Sequence, residues 1–355
     1  MNYLLKPITM ILAAAAALCC GSPAGKDALE ALAGASAEGK FYYAHQDDPS
    51  YGHSWRVEDP SGDPLDRSDV FGVCGQYPSM LGFDLGELEL GGTANLDGVS
   101  FELMRRAAKK QAERGGLVTI SWHARNPLTG GDAWDVSSDK VVESVLEGGE
   151  KHGEFVAWLD AAAEFLKSLG GIPVLFRPWH ENLGSWFWWG GKLCTTEQYK
   201  ALWRLTYERL KDVDNLLWVY SPNGDYGEQW YIERYPGDDI VDIVGFDSYQ
   251  SGPMPDSRER YIREMQTALD IVSRFASAHG KLYCVSETGY EGIPDPKWWT
   301  GTLLPAMEGY SPCYVLTWRN AWDRPGHYYA PWPGSPDAED FIAFAASGKV
   351  KLLDK

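Results

Sequence analysis

Eight short runs rich in Val, Ile, Leu, Phe or Tyr recur along this chain, at residues 40–46, 79–85, 116–123, 172–181, 215–221, 242–249, 281–287 and 313–319. Between many of them the apolar residues change spacing and fall on one helical face, over residues 101–114, 153–169, 196–210 and 260–279. Glycines often close these stretches, as at Gly115–Gly116, Gly170–Gly171 and Gly280, where a helix is expected to stop before a strand. A strand that is apolar along its whole length is covered on both faces. Such strands alternating with amphipathic helices predict a parallel sheet sheathed by helices, and eight units predict closure into a (β/α)8 TIM barrel. The length of 355 residues suits one such domain. A doubly wound open sheet shares the alternation, but no glycine-rich phosphate loop follows the first strand.

Residues 1–20 stand apart from this pattern. Lys6 supplies a short positive region, and residues 8–18 (ITMILAAAAAL) form an apolar stretch of signal-peptide length, too short to span a bilayer. Cys20 sits where a lipoprotein-type leader carries its acylated cysteine; plain cleavage of the leader is the other reading. Acylation would attach the protein to a membrane without making it integral. Either reading predicts export, to the periplasm or as an outer-membrane-anchored lipoprotein, otherwise as a secreted protein. Residues 21–38 read as a tether and opening helix, and residues 39–355 as the barrel. Cys74, Cys194, Cys284 and Cys313 remain inside, with no CxxC spacing, so zinc and thioredoxin-type readings are weak. Cys284 and Cys313 read as small buried hydrophobes. The net charge of −18 with no basic run argues against nucleic acid as a partner.

Residues 176–190 (FRPWHENLGSWFWWG) place one carboxylic acid, Glu181, after an apolar run and ahead of a dense tryptophan block. Aromatic plates beside a carboxylate suit a sugar, whose C–H faces pack on indole while its hydroxyls seek polar partners. A buried tryptophan cluster with a capping glutamate is the plain alternative. Packing is expected for Trp188 and Trp189, and Trp179 is open between the two.

In a barrel the C-terminal ends of the strands face the active site. Those ends are polar here: His45, Gln46 and Asp47; Trp122 and His123; Trp179, His180 and Glu181; Asp247 and Tyr249; Glu287; Trp318 and Arg319. Burying so many polar groups at one end of separate strands is costly unless they work together. Glu181 and Glu287, far apart in sequence, would converge at one rim. Two carboxylates flanking a scissile bond are what glycoside hydrolysis needs, one neutral to protonate the leaving oxygen and one ionised to attack. The metalloprotease motif HExxH fails because Gly184 stands where its second histidine belongs. No GxSxG elbow and no cofactor motif is present, so neither a metal nor a cofactor is expected.

These residues resemble glycoside hydrolase family 26, whose best-known members are β-mannanases. The matching segments are YAHQDD (43–48), SWHARNP (121–127), FRPWHENLGSWFWWG (176–190), VYSPN (219–223), VGFDSY (244–249), SETGY (286–290) and TWRNAW (317–322). The resemblance implies a retaining double displacement with Glu181 as general acid/base and Glu287 as nucleophile. It implies that His180 contacts the sugar in the reacting subsite, that Tyr249 bonds and orients Glu287, and that Trp318 floors that subsite. Trp186 would lie toward the leaving group, and His123 and Arg319 would bind hydroxyls on the non-reducing side. Arg177, expected on the same strand face as Glu181 by two-residue alternation, would either hold Glu287 ionised or neutralise a carboxylate lower in the barrel.

The function these readings converge on is cleavage of β-1,4-mannosidic bonds, with mannan polysaccharide or manno-oligosaccharides as partners. A same-family β-glucanase or xylanase and a non-catalytic glycan-binding lipoprotein are the rivals. Whether cleavage is endo or exo depends on how residues 48–69 and 86–98 shape the cleft; endo action is the expectation from the family.

Overall fold

All eight apolar runs form strands in the computed structural model, which describes residues 22–355. The leader and Cys20 lie outside the described residues. The strands are β1 Phe41–Gln46, β2 Met80–Asp84, β3 Leu117–Trp122, β4 Val174–Pro178, β5 Leu216–Tyr220, β6 Ile243–Gln250, β7 Leu282–Tyr290 and β8 Tyr314–Thr317. Each pairs in parallel with the next, and β8 pairs back onto β1 with Tyr42 opposite Tyr314. The sheet thus closes into the predicted (β/α)8 barrel.

Side chains alternate across the barrel wall, as the period of two requires. Tyr42, Leu175, Leu217 and Leu316 belong to an inner apolar cluster, while their neighbours Tyr43, Phe176, Trp218 and Val315 belong to an outer one shared with the helices. The expected helices cover the outside: Phe101–Glu113, His152–Lys167, Thr196–Leu210 and Asp256–His279. Thr195 and Gln198 cap the third of these reciprocally, which satisfies two backbone donors that its first turn would otherwise leave free.

The N-terminal helix Pro23–Ala37 is more than a tether. Its buried residues Ala28, Leu29, Leu32 and Ala35 fall in the inner cluster with the barrel interior. It therefore plugs the end of the barrel opposite the strand C-termini. The final strand Val350–Leu353 pairs in parallel beside Phe41 and Tyr42 at the same end. Cys284 and Cys313 are fully buried, and all four interior cysteines are free thiols.

Three strand C-termini differ from the sequence reading by two residues or more, and one of them is β8, which stops at Thr317 and leaves Trp318 and Arg319 just beyond it. β4 stops at Pro178, so Trp179, His180 and Glu181 lie beyond the ladder. Two left-handed residues, Trp179 at φ 55° and Glu181 at φ 50°, break the extended run there. β7 runs past Glu287 to Tyr290 and carries a bulge on the way.

Candidate active site

That bulge aims Glu287. On the β6–β7 ladder Val285 lies opposite Phe246, and the next pair is Glu287 opposite Asp247, leaving Ser286 as the extra residue. Cys284 belongs to the inner cluster and Val285 to the outer one. Strict alternation would turn Glu287 outward; the inserted residue resets the phase and turns it in beside Asp247.

Glu287 is 3% exposed. Its Oε1 accepts from Arg177 Nη2 at 2.5 Å, and its Oε2 accepts from the Tyr249 hydroxyl at 2.8 Å. Arg177 also donates from Nη1 to Ser221 Oγ at 3.2 Å and lies 3.5 Å from Asp247 Oδ1. Burial works against the guanidinium's charge, but the carboxylates of Glu287 and Asp247 outweigh it and raise the pKa above the ordinary arginine value. Both sequence-based options for Arg177 therefore hold together: it touches Glu287 and a second acid.

Glu181 is half-buried at the mouth of the cleft. Its backbone N–H donates to the Ser221 carbonyl at 2.9 Å, which ties the left-handed turn to the end of β5. Strain of this kind persists where the surroundings over-determine it. Its Oε2 accepts from Trp186 Nε1 at 2.6 Å. Burial first, and then the negative charge of Glu287, push the Glu181 pKa up to about 7, against the Trp186 bond and the positive charges of His123 and Arg177. Burial and Glu287 likewise push Asp247 well above the carboxylate range, although Arg177 and the Ser286 hydroxyl at 2.6 Å oppose this.

One oxygen each from Glu181, Asp247 and Glu287 lies within 4.8 Å of the others. Such a trio resembles a divalent-cation site, but Arg177 already contacts two of the acids and supplies the positive charge.

Beside the acids, Asp84 Oδ2 lies 2.8 Å from His123 Nδ1, and His123 Nε2 lies 3.2 Å from His180 Nε2. Trp134 stacks parallel to His123 with ring centroids 5.1 Å apart and is 46% exposed. Half-buried Trp318 meets His123 edge-on at 6.2 Å. Arg319 reaches the Tyr51 hydroxyl at 3.2 Å and Asp97 at 3.1 Å, so both loops 48–69 and 86–98 converge on it.

The tryptophan block divides. Trp186 is 40% exposed beside Glu181. Trp188 and Trp189 are fully buried, as expected, with their indole N–H groups on the carbonyls of Ala124 and His180. Trp179 resolves to packing: it is fully buried and donates to Thr206 Oγ1. Trp122 also belongs to the core and donates to Glu89. His45 pairs with Asp48 at 3.2 Å and not with the central acids.

The sequence reading passed over Asp84, Asp97, Trp134 and Phe187. Asp84 ends β2, so the strand-end rule that found the others would have found it. Phe187 packs on both His123 and His180 but stands inside the tryptophan block, where nothing in spacing separates it from its neighbours. Trp134 and Asp97 lie in loops that carry no periodicity.

Residues 52–290 match the family model described as Glycosyl hydrolase family 26. A mannan endo-1,4-beta-mannosidase of Bifidobacterium adolescentis is 33% identical over 337 residues, covering 87% of this chain and 33% of the relative. One from Bacillus subtilis is 35% identical over 195 residues, covering 50% of this chain and 52% of the relative. The chain thus spans about a third to a half of the length of these curated relatives. The solved structure of a GH26 beta-mannanase from Bacteroides ovatus is 47% identical and superimposes with a TM-score of 0.88, covering 94% of this chain and 95% of that one. With the barrel, the acids at its rim and the match over residues 52–290 in hand, the chain belongs to glycosyl hydrolase family 26.

Proposed function

We propose that this chain is an exported, retaining β-1,4-mannanase acting on mannan, glucomannan or galactomannan. One observation carries the reading: Glu181 and Glu287 present carboxylate oxygens within 4.8 Å of each other, one half-buried with its pKa near 7 and the other ion-paired with Arg177. Retaining enzymes hold the pair about 5–5.5 Å apart, whereas inverting ones leave about 6.5–9.5 Å for a water. The mannanase names and titles among the similar proteins support the choice of mannan as substrate.

In the first half-reaction a Glu287 oxygen bonds to the anomeric carbon as the bond to the leaving sugar breaks, and Glu181 gives its proton to the leaving oxygen. In the second, Glu181 takes a proton from water, whose oxygen attacks the same carbon and releases Glu287. Two inversions retain the configuration. Tyr249 and Arg177 hold Glu287. His180 and Trp318 receive the reacting sugar, Trp186 faces the leaving group, and His123 and Arg319 bind hydroxyls on the non-reducing side.

Glu181→Gln is expected to lower mannan hydrolysis by about 10²–10⁴-fold, and Glu287→Ala by at least as much. NMR of the first product should show the β-anomer. Near wild-type turnover in either variant, or an α-anomer as first product, would contradict the reading. Export is read from residues 1–20. A Cys20→Ser variant released from membranes would support acylation, and one that fractionates as wild type would support plain cleavage.

A further inference from the structure

A second concavity stands outside the cleft. It encloses about 760 Å³ between the loop after β1, the helix Asp69–Cys74 and the loop after β8. That size is ordinary for a ligand pocket. It opens to solvent, because Ser54, Arg67, Gly72 and Pro333 on its lining are exposed. The loop after β8 borders both this concavity and the cleft. Tyr329 packs edge-on against Tyr249, which bonds Glu287. Its neighbour Tyr328 packs instead on His53 at 4.5 Å and Trp332 at 4.9 Å, both of which line the concavity.

The aromatic walls are fixed in place. His53 stacks on Trp332 with ring planes 2° apart and centroids 4.2 Å apart, which holds the half-buried indole by one face. Trp55 donates from Nε1 to Asp69 Oδ1 at 2.8 Å, and the Arg67 guanidinium lies over its ring at 4.6 Å. Asp69 is already satisfied, since its Oδ2 accepts the His53 backbone N–H at 2.6 Å and Asn320 Nδ2 at 3.0 Å. Asp66 is paired with Lys110 and Arg114. The Arg67 guanidinium, the His53 ring nitrogens and Trp332 Nε1, by contrast, hydrogen-bond to no protein atom among the described residues. Half-buried Asp63 gives Oδ1 to the Leu65 N–H at 2.7 Å and keeps Oδ2 as an acceptor.

Unpartnered donors and an acceptor set round aromatic plates suit a neutral polyol that carries both hydroxyls and apolar C–H faces. A cationic ligand fits worse, because Arg67 already occupies the face of Trp55. An anion would meet Asp63 and Asp69 in the same wall. We propose that this concavity is a second, non-catalytic carbohydrate site, in which Trp332 packs on a sugar ring and Arg67, His53 and Asp63 bond its hydroxyls. The choice of β-1,4-mannan as the occupant rests on the mannanase reading. A chain bound here lies one loop away from the acids, so the enzyme keeps hold of its polysaccharide between cuts.

The test uses Glu181→Gln protein, which leaves the sugar intact, labelled with 5-fluorotryptophan, and mannotetraose as the probe. Trp332→Phe and Trp318→Phe identify the ¹⁹F signals of those two indoles. Both signals are expected to shift as mannotetraose is added. A Trp332 signal that stays still would overturn the proposal, whatever Trp318 does. A Trp318 signal that stays still would count against the mannanase reading instead, and Trp332 would still decide the second site. Arg67→Ala, a change at an exposed side chain, separates the two sites. It should raise the mannotetraose concentration that half-shifts Trp332 by about tenfold and leave the Trp318 curve where it was. Identical Trp332 curves with and without Arg67 would mean that this indole only follows events in the cleft, and the second site would fall.

Discussion

Glu181 carries a conflict between stability and chemistry that can be measured. Burial and the charge of Glu287 raise its folded pKa to about 7, whereas a solvated glutamate ionises near 4.5. Below about pH 7 it holds the proton that a general acid needs; above it kcat/KM should fall about tenfold per pH unit. The same shift acts on folding. Between 4.5 and about 7 the folded protein binds a proton that the unfolded chain has released, so this group's favourable contribution declines as pH rises through that window and is gone above it. Glu181→Gln removes the ionisation. Its melting temperature should therefore exceed that of wild type by about 2–4 °C at pH 8, with little difference at pH 4. Calorimetry at the two pH values checks this, and equal gaps at both would show that Glu181 ionisation does not limit stability. Loss of activity together with a gain in stability is the pattern expected of a strained catalytic group and not of a structural one.

At the scale of the element, the loop after β4 is shaped around one indole. A Cβ added at Gly184 would sit 2.4–2.5 Å from the six-membered ring of Trp186. Gly184→Ala should displace that ring and weaken its bond to Glu181. Because the bond lowers the Glu181 pKa, its loss should move the alkaline limb of kcat/KM to higher pH, and KM for long mannan should rise as the leaving-group side is disturbed. A pH profile identical to wild type would mean that Trp186 adjusts without leaving Glu181. This element also marks how far sequence carries. The eight strands were legible because burial on both faces writes itself as an unbroken apolar run, and Glu181, Glu287 and Tyr249 were legible as strand-end polar residues, with Arg177 following from alternation along the strand that leads to Glu181. What turns those residues inward was not. The inward aim of Glu287 rests on one extra residue, Ser286, and strict alternation read from the sequence gives the opposite direction. Trp179 and Trp122 carry the same chemistry on paper as Trp186 and Trp318, and only the packing around them separates core from cleft.

For the whole molecule, the two ends of the barrel divide the labour. The acids, histidines and exposed tryptophans of the candidate site stand at the C-terminal ends of the strands or in the loops that follow them, while the opposite end is sealed by the helix Pro23–Ala37. The buried face of that helix is apolar, built on Ala28, Leu29, Leu32 and Ala35. In such barrels the rim carries catalysis and the floor carries stability. Leu32 is fully buried in the floor, in the cluster that includes the barrel interior. Leu32→Ala removes three carbons there and should lower unfolding free energy by about 2–5 kcal/mol, according to how far the helix can settle into the gap. Its kcat/KM at 25 °C should match wild type, because distant sites without shared partners act independently. Thermal unfolding and steady-state kinetics on the same preparation read the two quantities separately. If activity fell in proportion to stability, floor and rim would be coupled through the barrel wall, and the inner layer of Leu217, Ile243 and Leu316 would be the place to look for the coupling.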